Sequence, residues 1–128
     1  MKKISIGEIY VKQFDQSNNW ENYAIKYNLD ENTIREFAEK FDWKFICINQ
    51  ILSENFIREF KDKVNWTHIS IHQKLSENFI REFKDKVDWH YIVRYQKFSE
   101  SFIREFKDKV DLDYIIRCQK FTDKLYNH

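Results

Sequence analysis

The chain has no proline and one glycine, Gly7, in 128 residues. Helix boundaries must therefore be set by capping side chains, and a glycine-rich phosphate loop is excluded. With only Cys47 and Cys118, the chain cannot be a disulfide-stapled scaffold. No run of 18 apolar residues is present and no charged-then-apolar leader opens the sequence, so a soluble chain without a membrane span or a removable signal is expected. A net charge of +1, from 22 basic and 21 acidic residues, gives no whole-molecule field of the kind a nucleic-acid binder carries. Any electrostatic site has to be local. What the chain does have is aromatic residues, 18% of the total within 42% apolar, enough to fill the core of one domain spanning 1–128.

The same text recurs every 23 residues. LSENFIREFKDKVNWTHISIHQK runs from Leu52 to Lys74, LSENFIREFKDKVDWHYIVRYQK from Leu75 to Lys97, and FSESFIREFKDKVDLDYIIRCQK from Phe98 to Lys120. One period earlier, Leu29 to Ile51 keeps Ile34, Arg35, Glu36, Phe37 and Trp43 in register. A fifth, decayed copy, Ile6 to Asn28, keeps Val11, Phe14 and Trp20. The tail, 121–128, restarts the pattern and stops. Cys47 and Cys118 lie three copies apart, too far for a bridge in an extended array, which predicts free thiols in a reducing, cytoplasmic compartment.

Each copy predicts two short helices. In the first, Phe56, Ile57, Phe60 and Val64 share one face, Ser53 stands as N-cap, and Leu52 with Ile57 forms a hydrophobic staple. In the second, Asn65 or Asp88 caps, a Trp follows, and Val64 with Ile69, or Val87 with Ile92, staples. One continuous helix fails on geometry: at ~100° per residue, 23 residues turn the apolar stripe by roughly 140° per copy, and no continuous face forms. Units this small bury their faces only by stacking, so the predicted fold is all-α, a short α-solenoid of five two-helix repeats, 6–28, 29–51, 52–74, 75–97 and 98–120. The first repeat is atypical. The segment 121–128 would cap the last one through Phe121, Leu125 and Tyr126, and an incompletely covered edge there would allow a C-terminal homodimer.

Most conspicuous residues have structural roles at this level. The Phe and Trp ladders, Phe14 to Phe106 and Trp20 to Trp89, fall at stripe and staple positions and belong to the core. Gln50, Gln73, Gln96 and Gln119 stand where each second helix ends, placed to satisfy open carbonyls. Arg35, Arg58, Arg81 and Arg104 have carboxylates four residues away on either side, which predicts salt-bridged solvation within each helix through pairs such as Glu54–Arg58, Arg58–Asp62 and Glu59–Lys63. His68 and His72 have the spacing of a two-imidazole zinc face, and His90 or Asn49 could add a third ligand. No Glu lies between them and the next copy has Tyr91 and Tyr95 there, so surface histidines are expected, with no metal and no cofactor. Ser53, Ser76 and Ser99 are caps rather than nucleophiles, no paired catalytic carboxylate stands apart from the repeat, and an enzyme is not expected.

Positions that stay constant from copy to copy answer to stacking; those that vary are open to a partner. Variation concentrates in the second helix, at Lys44, Phe45, Ile48 and Asn49, then Thr67, His68, Ile71 and His72, then His90, Tyr91, Arg94 and Tyr95, then Asp113, Tyr114, Arg117 and Cys118. Rigid rings and guanidinium groups favour interface hot spots. Phe45, Ile48, His68, Ile71, His72, His90, Tyr91, Arg94, Tyr95, Tyr114 and Arg117 are the expected partner-binding strip. Its C-terminal half is locally basic through Arg94 and Arg117, which keeps nucleic acid as an alternative partner. A purely structural, oligomerising repeat is the other alternative.

The phrases LSENFIREFKDKVDW and YQKFSESFIREF resemble tandem helical repeats of uncharacterised reading frames in large DNA viruses and bacteriophages, over most of Leu29 to Lys120. The wealth of Asn, Lys, Ile and Phe, with two Ala, agrees with an AT-rich genome. The resemblance implies a protein acting in the host cytoplasm on a host protein or nucleoprotein complex, as a phage or viral inhibitor of a defence system such as an anti-CRISPR does.

Overall fold

The capped half-copies of the sequence become pairs of helices, six and seven residues long, in the computed structural model, which describes residues 3–4 and 20–119. In chain order the elements are β1 (Lys3–Ile4), α1 (Trp20–Lys26), β2 (Asn28–Leu29), α2 (Glu31–Glu36), α3 (Trp43–Asn49), α4 (Glu54–Glu59), α5 (Trp66–His72), α6 (Glu77–Glu82), α7 (Trp89–Tyr95), α8 (Glu100–Glu105) and α9 (Leu112–Gln119), with a short 3₁₀ turn at Lys107–Lys109. The fold is the expected all-α repeat stack. A two-residue parallel pairing adds to it, with Lys3 opposite Asn28 and Ile4 opposite Leu29. The first half of repeat 6–28, with Val11 and Phe14, and the cap 121–128 lie outside the described residues.

The predicted caps start the first helices. Ser53 Oγ accepts from Phe56 N–H at 3.1 Å, and Ser76 and Ser99 repeat the bond. In the second helices Asn65 accepts from His68 N–H at 3.1 Å, but Asp88 makes no capping bond. Its carboxylate faces Thr67 Oγ1 at 3.5 Å and its N–H donates to Ser70 Oγ at 3.0 Å, so the preceding repeat holds it instead.

The first helices are shorter than the face reaching to Val64 implies. α4 stops at Glu59, and Phe60, Lys63 and Val64 close a turn in which the Phe60 carbonyl accepts from both Lys63 and Val64 N–H. Leaving the helix lets Phe60 pack its ring 5.0 Å from Trp43 of the preceding repeat. The Trp of the following helix then takes a carbonyl that the turn left open, Trp66 Nε1 donating to Lys61 O at 3.1 Å and Trp89 Nε1 to Lys84 O at 2.8 Å.

Stacking is direct along the second helices, α1 on α3, α3 on α5, α5 on α7 and α7 on α9. Between the two rows runs a continuous core in which Ile46, Ile69, Ile92 and Ile115 from the second helices meet Phe56, Phe79 and Phe102 from the first, all fully buried. The Gln ladder spans this core from repeat to repeat. Gln73 Nε2 donates to Cys47 O at 2.9 Å and Gln50 O at 2.6 Å, while its Oε1 accepts from Leu52 N–H at 2.9 Å. Gln50, Gln96 and Gln119 make the same three bonds in their own registers. A buried amide with every one of these groups paired fixes the rise of the stack, since a slip by one turn would strand two carbonyls and an N–H.

The first helices are joined through side chains. Arg58 Nε straddles both carboxylate oxygens of Glu82, 24 residues on, at 2.8 and 3.0 Å, and Nη1 donates to Asn55 Oδ1 at 2.7 Å. Arg35–Glu59 and Arg81–Glu105 are the equivalent forks. The solvation predicted within each helix is therefore mostly a clamp between repeats. Asp62, the i+4 partner expected for Arg58, falls in the turn beyond the six-residue helix, and Lys63 pairs with Glu39 at 2.7 Å rather than with Glu59. Pairs within a helix occur as long contacts, Glu77–Arg81 at 3.9 Å and Glu100–Arg104 at 3.8 Å. Glu54 meanwhile accepts from the N–H and the hydroxyl of Ser76 in the next repeat, at 2.7 and 3.0 Å.

Candidate functional site

The strip proposed from copy-to-copy variation lies along the outer side of the second-helix row, because the Ile-x-x-x-Gln positions and the residue after each Ile turn inward. One period of the strip is a position partly covered by neighbours, Phe45, His68, Tyr91 and Tyr114, followed one turn later by Asn49, His72, Tyr95 and Cys118. Residues four apart on a helix face one another. His68 and His72 accordingly stack at 5.8 Å, and Tyr91 and Tyr95 at 6.2 Å.

Contacts between helices join these columns. The His90 and Tyr114 rings lie 4.8 Å apart and 6° from parallel, and the Tyr114 hydroxyl donates to the His90 carbonyl at 3.2 Å and stands 3.3 Å from its Nε2. The Arg94 guanidinium sits 5.5 Å over the Tyr95 ring. Burial, then a hydrogen bond with Cys118, pushes the Tyr114 phenol above its ordinary range, with Arg94 partly opposing. His90, Tyr91, Arg94, Tyr95 and Tyr114 thus form one connected patch over α7 and α9, and the stacked pair His68 and His72 on α5 lies beside it, with His72 and Tyr95 bordering one groove. Phe45 joins at the edge of that pair, where Lys44 lies 5.2 Å over the Phe45 ring and its charge reaches His68. Ile48 and Ile71 are half-buried and Arg117 is exposed, and these three continue the strip without polar or ring contacts to the patch.

The His68 imidazole is held below its ordinary 6.5, first by burial and then by the charges of His72 and Lys44. Its Nδ1 is buried without a hydrogen-bond partner. Among the described residues no group of three or more His, Cys, Asp or Glu is placed to hold a metal ion, and His90 turns to Tyr114 rather than to His68. Cys47 and Cys118 are both free. Burial pushes the Cys47 thiol up to about 11, which leaves it protonated and unreactive near neutrality.

Two exposed isoleucines lie outside the predicted strip. Ile51 is 87% exposed, at the position where later copies have Lys74 and Lys97, and Ile25 is 44% exposed, at the position of Ile48, Ile71, Arg94 and Arg117. An isoleucine where other copies place lysine was a visible signal, but one hidden in the linker rather than in the helix. Two grooves open between successive second helices at their C-terminal ends. One of ≈ 400 Å³ is bounded by His72, Lys74, Tyr95 and Lys97, and one of ≈ 470 Å³ by Arg94, Tyr95, Lys97 and Cys118. A larger hollow of ≈ 560 Å³, beside Asp30, Glu31 and Ile51, lies at the end of the stack away from the aromatic patch. None of the helices described is long and apolar enough to cross a membrane.

No protein-family model, no curated protein and no solved structure matches the chain.

Proposed function

We propose that the chain is a non-catalytic binding module that occupies a surface of a larger protein or nucleoprotein complex through the outer strip of its second helices. The observation that carries this reading is the connected patch of His90, Tyr91, Arg94, Tyr95 and Tyr114 with the stacked pair His68 and His72 beside it, large rings with an exposed arginine on the outer side of the second helices. An unused face that drifted freely would carry small polar residues, whereas this one carries the residue types that dominate interface energetics. The resemblance of the repeat text to reading frames of large DNA viruses and phages supports the role of an inhibitor of a host defence complex, acting in the host cytoplasm.

The test is a triple substitution, Tyr91→Ala, Arg94→Ala and Tyr95→Ala. It is expected to abolish capture of the partner from host lysate while the helical melting curve stays nearly unchanged; equal capture by the variant would overturn the assignment of the strip. A nucleic-acid partner would instead appear as a steep loss of binding with salt that disappears when Arg94 and Arg117 become Ser.

A further inference from the structure

The face holding the strip changes character along the stack in two parallel rows. One row, the sixth residue of each second helix, reads Ile25, Ile48, Ile71, Arg94 and Arg117. The other, in the linker that follows, reads Ile51, Lys74 and Lys97. The linker row turns basic at Lys74, after α5, and the helix row one repeat later, at Arg94 in α7. The cations are exposed, and none of Lys74, Arg94 and Lys97 has a carboxylate within ion-pair distance among the described residues. On the first-helix side Arg35, Arg58, Arg81, Lys63 and Lys109 are matched by a carboxylate of a neighbouring repeat, and the exposed lysines left over there, such as Lys61 and Lys84, alternate with Asp62 and Asp85. Of the exposed carboxylates within the second helices, Glu21 stands one turn before Ile25 and Asp113 one turn before Arg117, while Lys74, Arg94 and Lys97 have none so placed. At the apolar end Asp30 and Glu31 border the hollow beside Ile51 and disfavour any further carboxylate there.

We infer, building on the binding reading above, that this face takes an extended peptide segment of a partner protein, with carboxylates over the α5–α9 end and aliphatic or aromatic side chains over the Ile48–Ile71 end. Charge complementarity selects the acidic end, since unpaired cations on a nearly neutral molecule gain most from an anionic ligand that meets no carboxylate. The grooves beside Tyr95, ≈ 400 and ≈ 470 Å³, are roomy enough to admit a bulky side chain and lie one repeat apart. Packed helices stand ~8–10 Å apart and a chain in the polyproline II conformation rises ~3.1 Å per residue with about three residues per turn, so carboxylates three residues apart share one face and step from one repeat's cation to the next. A nucleic acid fits less well, because its uniform charge gains nothing from exposed Ile51 and Ile25.

The full chain and the variant Arg94→Glu, Lys97→Glu, Arg117→Glu are each panned against a display library of random peptides of about 12 residues. Enriched peptides are titrated by fluorescence anisotropy at about 50 and about 500 mM salt, beside an oligothymidine of about 12 nucleotides. The wild-type chain is expected to enrich peptides with Asp or Glu at three-residue spacing and an apolar residue toward one end. Their affinity falls about tenfold or more in high salt and in the charge-reversed variant, whose melting midpoint stays put. Ile51→Lys is expected to weaken the same peptides several-fold through their apolar end. Enriched peptides without that spacing, equal binding by the charge-reversed variant, or tighter binding of the oligothymidine than of any peptide would each overturn the inference. If the Tyr91, Arg94, Tyr95 triple variant loses a lysate partner whose binding ignores the charge reversal, the binding reading stands and the acidic segment falls. If neither variant affects that partner, both fall.

Discussion

The first helices and the second helices of this stack spend their side chains differently. Along the first, Arg35, Arg58 and Arg81 fork onto the next repeat's Glu59, Glu82 and Glu105 and lie about one ring-contact away from Phe56, Phe79 and Phe102, at 5.2, 5.3 and 5.0 Å. Glu31, Glu54 and Glu77 are taken up by Ser53, Ser76 and Ser99. What remains exposed is mainly the lysines and aspartates of the turns, such as Lys61, Asp62, Lys84 and Lys86. Along the second helices the inner side is equally committed through Ile and Gln, but the outer side has rings that stack on one another, and among the described residues Lys74, Arg94 and Lys97 make no ion pair. The comparison teaches that constancy of the text marks bonds between repeats, and that variation begins where those bonds end. The C-terminal edge shows the same rule from the other side. Arg104, whose matching position 24 residues on lies outside the described residues, leaves its Nε unpaired and reaches Glu100 only at 3.8 Å.

The widest gap between the two regions should appear on the inner side. Gln73→Ala strands the carbonyls of Cys47 and Gln50 and the N–H of Leu52. With about 1–3 kcal/mol for each buried group left unpaired, a loss of roughly 3–5 kcal/mol is expected in urea unfolding. A loss below about 1 kcal/mol would mean that water replaces the amide and the ladder does not set the register. On the first-helix side, a double-mutant cycle on Arg58 and Glu82 is expected to give about 0.5–1 kcal/mol of coupling, since the pair is about 40% exposed and screened. The triple change at Tyr91, Arg94 and Tyr95 should cost less than about 1 kcal/mol of stability because these are surface positions, although it removes binding. A large drop in stability would erase the distinction between the regions.

The smallest effect is a dependence on pH. The folded chain holds His68 below 6.5, so the unfolded chain binds its proton more readily, and stability is complete above 6.5 and declines as pH falls below it. Urea midpoints at about pH 7.5 and about pH 5.5 should differ less in His68→Phe, which copies Phe45 one repeat earlier, than in the native chain. An identical difference in both would place the acid sensitivity elsewhere.

Much of this was legible in the text. Ser53, and Leu52 with Ile57, have local causes, in a cap and a staple, and the structure places them as those causes require, while the Gln ladder meets helix-end carbonyls as expected but those of the preceding repeat. The errors have one origin. Arg58 was matched to Asp62 by helical spacing, but its carboxylate is Glu82, and Asp88 was assigned to its own helix when Thr67 and Ser70 hold it. A sequence displays neighbours along the chain, and these partners are neighbours across repeats. The same limit hid Lys74 and Lys97, which belong to the outer face only once the linkers are seen to line its grooves.

By itself the sequence determined the period, the two capped helices of each copy and the division between constant and variable positions, because capping and amphipathic spacing act over a few residues. Only the tertiary structure decided where each helix stops, which glutamate each arginine meets and which variable residues form one patch. Those depend on the rotation and rise from one repeat to the next, which the packing of Phe60 against Trp43 and the three bonds of each ladder glutamine establish together.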